Sequence, residues 1–93
     1  DAGALPTLIR LEQNSPNPFN GETAIEYTLS KNTPVTFEVF NILGQKIIEL
    51  DQGYRTRGTH TILFSSGAIP SGVYFYRIRG SSLSNTRRFV ILR

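Results

Sequence analysis

The sequence contains no cysteine, no tryptophan and a single histidine. Without cysteine there is no disulfide, no zinc-thiolate site and no thiol nucleophile. Without tryptophan, the stacking platform on which many small β modules hold sugar rings is thin; the other aromatics mostly lie in alternating strand positions that read as core, and Tyr54, in a loop, is a thin platform by itself. The one imidazole, His60, lies inside a strand-like run with no Asp or Glu nearby in sequence, so it reads as a packed or solvated side chain rather than a general base. Gly-x-Ser-x-Gly elbows, phosphate-cradling glycine loops and Asp-x-Asp-x-Asp-Gly calcium loops are all missing. No catalytic, cofactor or metal residue is assigned, although a calcium ion bridging loops stays open. No apolar stretch approaches the ~20 residues of a membrane helix, and no run of basic residues exceeds two, which argues against nucleic acid.

What is present belongs to one folded β domain. The chain has 93 residues, 39% hydrophobic and 18% charged, enough for one modest core. Helical periodicity is absent. Short runs rich in Val, Ile, Thr, Tyr and Phe alternate with Gly, Pro, Asn and Ser clusters, the pattern of strands and turns. Seven strands are expected: Leu8 to Gln13, Thr23 to Ser30, Val35 to Val39, Lys46 to Leu50, Thr59 to Phe64, Gly72 to Arg79 and Thr86 to Arg93. Turn signals every 8–12 residues fit an immunoglobulin-like antiparallel sandwich, with a small closed barrel as the alternative. The most apolar run, Gly72 to Arg79, reads as a central strand; Thr86 to Arg93 reads as the last strand, with Phe89 and Ile91 on one face. Asp51 to Gly58 reads as a polar loop. Residues 1–9 read as a linker from an upstream domain and 10–93 as the domain itself.

The turns are as informative as the strands. In Asn14-Ser15-Pro16-Asn17-Pro18-Phe19-Asn20-Gly21 two prolines remove two backbone donors, so the segment cannot join a ladder. It reads as a rigid extended turn whose Phe19 plugs the end of the core. In Asn41-Ile42-Leu43-Gly44-Gln45, Asn41 can bond its own backbone two residues on and Gly44 can take a positive φ. Ten Lys and Arg face seven Asp and Glu, a net charge of +3. Arg77, Arg79, Arg87, Arg88 and Arg93 concentrate in the last two strands, as solvated faces or as a basic edge that docks on an acidic surface.

Read in order, these segments form a signature. It runs Asn-x-Pro-Asn-Pro-Phe-Asn at 14–20, Thr-x-Ile-x-Tyr-x-Leu at 23–29 and Val-x-Phe-x-Val-Phe-Asn-x-Leu-Gly-Gln at 35–45. Gly58-Thr59-His60 and Ser71-Gly72-Val73-Tyr74-Phe75-Tyr76-Arg77 follow, and a basic-ended apolar strand closes the chain. The order and spacing resemble the type A C-terminal sorting domain of the type IX (Por) secretion system over residues 10–93. Arg87-Arg88 stands where members of that family often carry a lone Lys. The resemblance implies a non-catalytic signal domain without cofactor, carried by a larger secreted protein, often a hydrolase. It implies passage through the periplasm, recognition by the outer-membrane translocon, removal by a sorting peptidase, and delivery to the cell surface or medium. The domain is expected to be a monomer that neither spans a membrane nor binds nucleic acid. The residues the resemblance marks for translocon recognition are Asn17, Pro18, Phe19, Asn41, Gly44, Gly72, Tyr74, Tyr76, Arg87, Arg88 and Arg93. A free last strand would offer unpaired backbone groups for docking. Two other readings are a structural module, like the domain of the flagellar hook-capping protein, and a carbohydrate-binding or cell-attachment accessory.

Overall fold

A computed structural model describes residues 8–93, all of them in strands, turns and loops. The strands are β1 (Ile9–Leu11), β2 (Glu22–Leu29), β3 (Thr33–Phe40), β4 (Lys46–Arg55), β5 (Gly58–Ser65), β6 (Gly72–Arg79) and β7 (Ser84–Ile91). They form two antiparallel sheets, β1-β2-β5 and β4-β3-β6-β7, the two-layer sandwich expected from the turn spacing. The fourth strand pairs with the third, whereas in the constant-type immunoglobulin sheet it joins the first, second and fifth. Ile9 is buried and paired with Leu29, so the body takes up the end of the span 1–9 read as a linker. The rest of that span, 1–7, lies outside the described residues.

Period-two alternation builds the core. Ile25, Tyr27 and Leu29 of β2, Val35, Phe37 and Val39 of β3, Ile62 and Phe64 of β5, and Tyr74, Tyr76 and Ile78 of β6 all turn inward. Phe89 and Ile91 of β7 complete the layer. Each fully buried side chain of this size contributes on the order of 1.5–3 kcal/mol. β6 lies between β3 and β7, as its apolar composition predicts, and β7 lies at the sheet edge.

One segment departs from expectation. Asp51 to Arg55, read as loop, continues β4, so Tyr54 sits on a strand and Thr33 to Val35 pair with Arg55 to Gly53. The register slips between Val35 and Thr36, and Gly53 takes φ +74° beside the slip. The positive φ open to Gly53 lets this edge strand bulge and carry on.

Candidate functional site

The residues singled out in the sequence fall into two groups in space. The larger group lies where β7 meets the Asn14–Phe19 segment, which crosses from one sheet to the other as a strap. Phe19 is buried, with its ring edge-on to Phe89 at 5.0 Å and to Phe64 at 6.3 Å. Its N–H donates to the Val90 carbonyl (3.0 Å), and its carbonyl accepts from the Leu92 N–H (2.9 Å). The Asn17 side-chain oxygen accepts from the Val90 N–H (3.0 Å), and the Gln13 amide donates to the Arg88 carbonyl (2.8 Å). Pro18 occupies the exposed bend between these contacts.

Asn14 fixes the strap from inside. Its N–H donates to the Tyr76 hydroxyl (3.0 Å), which in turn donates to the Glu12 carbonyl (2.8 Å). The Asn14 amide donates to the Pro16 carbonyl and to Thr23. Tyr76 stacks on Phe89 at 5.0 Å, and burial raises its phenol pKa. Tyr74 donates to the Pro70 carbonyl (2.8 Å), and Gly72 opens β6 opposite Ile91.

These bonds change the meaning of the last strand. β7 is at the edge, but from Arg88 onward it is not a bare edge, because the strap already satisfies the Arg88 carbonyl, both backbone groups of Val90 and the Leu92 N–H. Two of its arginines are also engaged within the domain. Arg87 donates to the Leu11 carbonyl (2.6 Å). Arg93 donates to the carbonyls of Ile69 (2.8 Å) and Gly67, and its N–H reaches Ser71 (2.9 Å). Arg88 is exposed beside Phe75, with no acidic partner among the described residues.

The second group is the β3–β4 turn, holding Asn41 and Gly44. It leaves β3 past Phe40, which pairs with Phe75, and so points toward the same end of the sandwich as Gly72. It shares no hydrogen bond with the strap. Asn41 holds it shut: its Oδ1 accepts from Leu43 N–H (2.9 Å) and Gln45 N–H (3.0 Å), and its amide donates to Gln45 Oε1 (2.8 Å). Gly44 closes the turn with φ +81°, the left-handed position that ends a three-residue hairpin loop.

Sequence reasoning missed one charged cluster. Glu38, at an outward position of β3, is only 1% exposed on the outer face of the larger sheet. Arg77 Nε donates to it at 2.7 Å, Lys46 Nζ at 3.3 Å and Arg79 at 3.4 Å. Burial pushes its carboxyl pKa up, but bonds from Arg77, Arg79 and Lys46 outweigh burial and bring it down to about 2. Hydrogen bonds to Glu49, and then to Glu38, raise the Lys46 pKa. Arg77 also lies 4.7 Å over the Phe40 ring. Only the register of β3 against β6 reveals the cluster; the signal available in sequence was the pair of arginines two apart on a strand.

Little else suggests chemistry. His60 stacks on Tyr27 at 5.5 Å and its Nε2 lies 2.7 Å from the Thr56 carbonyl. Among the described residues no three His, Asp or Glu converge, no helix is long and apolar enough to cross a membrane, and the depressions are shallow.

The distinctive residues of this β-sandwich build surface turns and a strapped edge. The family model for the secretion system C-terminal sorting domain matches residues 15–92, and the chain belongs to that family, whose members are sorting signals for type IX secretion. Such domains are non-catalytic in general, are recognised by the type IX machinery, and mark proteins for the cell surface or the extracellular space. No curated protein matches the chain. Among solved structures, the chain is similar to part of dimeric latent PorU from Porphyromonas gingivalis, at 15% identity and a TM-score of 0.75. The match covers 97% of this chain and 10% of that one, and it supports the fold.

Proposed function

We propose that the translocon reads the folded, strapped end of this domain as a composite surface, not a bare terminal strand. The surface comprises the Asn17–Phe19 strap, the start of β6 at Gly72, the β3–β4 turn and the outer face of β7 around Arg88. Buried Tyr74 and Tyr76 support it from beneath, while Arg87 ties it to β1 and Arg93 to the loop before β6. The observation that carries the reading is the strap's hold on Arg88, Val90 and Leu92, which occupies the backbone groups a docking strand would need. In this reading the domain rides on a larger secreted protein, a hydrolase in many such cases. It crosses the periplasm as a monomer and is removed by the sorting peptidase once the outer membrane has been crossed.

The test must separate folding from recognition. Deleting residues 87–93 removes Phe89 and Ile91 from the core and so unfolds the domain whatever it binds. Arg88→Glu leaves the core intact, and stability is expected within about 0.5 kcal/mol of wild type. Export of a fused reporter is expected to fall, because reversing an exposed charge slows an electrostatically steered encounter. Unchanged export would remove Arg88 from the recognised surface.

A further inference from the structure

The β3–β4 turn carries a feature that its own folding does not require. Ile42 and Leu43 are 72% and 79% exposed, the most exposed large apolar side chains among the described residues. Turn tips ordinarily hold Gly, Asn, Asp, Ser or Pro, and neither side chain joins the core. The polar groups around them serve only to hold the turn: Asn41 binds Leu43 and Gln45, and the Gly44 N–H donates to the Asn41 carbonyl at 3.0 Å. Two apolar side chains are thus presented on a loop that is already ordered, so docking them costs little further conformational entropy.

Charge defines the partner. Residues 41–45 carry no charge, and the nearest cation, Lys46, is taken by Glu49 and Glu38. Loops that enter a bilayer interface pair apolar residues with Trp, Tyr or free Lys and Arg; this turn has none of them. An uncharged, rigid, two-residue apolar tip fits an apolar pocket in a protein.

We infer that Ile42 and Leu43 form a prebuilt plug that seats in an apolar pocket of a protein in the type IX machinery. Asn41 and Gly44 act as positioning residues that hold it out. This rests on the sorting reading and adds the chemistry of one contact to it.

The test uses a reporter fused to the domain in a bacterium with type IX secretion. The paired change Ile42→Ser and Leu43→Ser is expected to lower export at least about tenfold, equivalent to about 1.4 kcal/mol of lost contact. The unfolding midpoint of the purified domain should stay unchanged. Ile42→Met with Leu43→Met should restore export, and Leu63→Ser, at a 67% exposed site on β5, should leave it intact. Wild-type export by the serine pair overturns the inference, as does an equal loss in Leu63→Ser. So does binding of the purified domain to phosphatidylcholine–phosphatidylglycerol vesicles that the serine pair abolishes. A reporter lacking the domain altogether tests the sorting reading separately: its export would sink that reading, whereas its retention beside a freely exported serine pair sinks only the plug.

Discussion

The two long edges of this sandwich are finished in opposite ways. On one side, β1 and β7 face each other, and the strap stitches them with backbone bonds, the Asn17 cap and the Phe19 ring. Arg87 and Asn85 add bonds from β7 to the carbonyls of Leu11 and Ile9. On the other side, β4 and β5 run unpaired with each other. There Ile47 and Leu50 are about two-fifths exposed. Edge strands invite unwanted pairing, and the two sides manage this differently. The closed side covers its edge; the open side bends β4 with two register slips, one of them at Gly53. Covering uses specific long-range contacts, and bending uses local sequence. Stability is therefore concentrated on the closed side, where much of the family signature also lies.

The sharpest way to break this contrast is to cut the same kind of group from each side. Phe19→Ala opens a cavity under Phe89 and Phe64 and is expected to cost about 3–5 kcal/mol. Leu50→Ala, half in water already, is expected to cost about 1 kcal/mol or less. Urea denaturation of both variants checks the asymmetry, and equal losses would refute it.

The Glu38 cluster joins β3, β4 and β6 on the outer face of the larger sheet, and pH probes it. Because its pKa is lowered from 4.5 to about 2 in the folded state, its contribution is complete above the unfolded value. It is lost as pH falls through the window from about 5 to 2. With allowance for solvent around the half-exposed cations, this amounts to on the order of 2–3 kcal/mol. Acid titration of stability should show the loss, and Glu38→Gln should be less stable at pH 7 with a flatter profile over that window. A modest effect is expected at the turn: Gly44→Ala meets no steric obstacle but must hold φ +81°, at a cost of about 1 kcal/mol in thermal unfolding.

Much of this architecture was legible from alternation and punctuation. Strands β2, β3, β6 and β7 follow from period two, and the plug role of Phe19 follows from its being the one large apolar residue in a proline-locked turn. The failures share a cause. Gly53 carries the same signal whether it ends a strand or bulges it, and pairing with Val35 decides which. Glu38 looks like any outward strand residue until register sets Arg77, Arg79 and Lys46 around it. The strap's grip on Val90 joins residues 73 apart at the Asn17 cap, a relation that no local pattern encodes. For the same reason the signature located the β3–β4 turn through Asn41 and Gly44, while the exposed Ile42 and Leu43 stood out only once burial was known.

The strap also sets an order of events. A ribosome delivers Asn17 and Phe19 early and their partners on β7 last, so the sandwich has nothing to close against until the final strand has been made. A chain that stops short of Phe89 lacks the ring on which Phe19 and Tyr76 pack. The folded body therefore reports that β7 has been made, and a machine that reads this end of the domain inspects, in the same contact, whether the domain itself is complete.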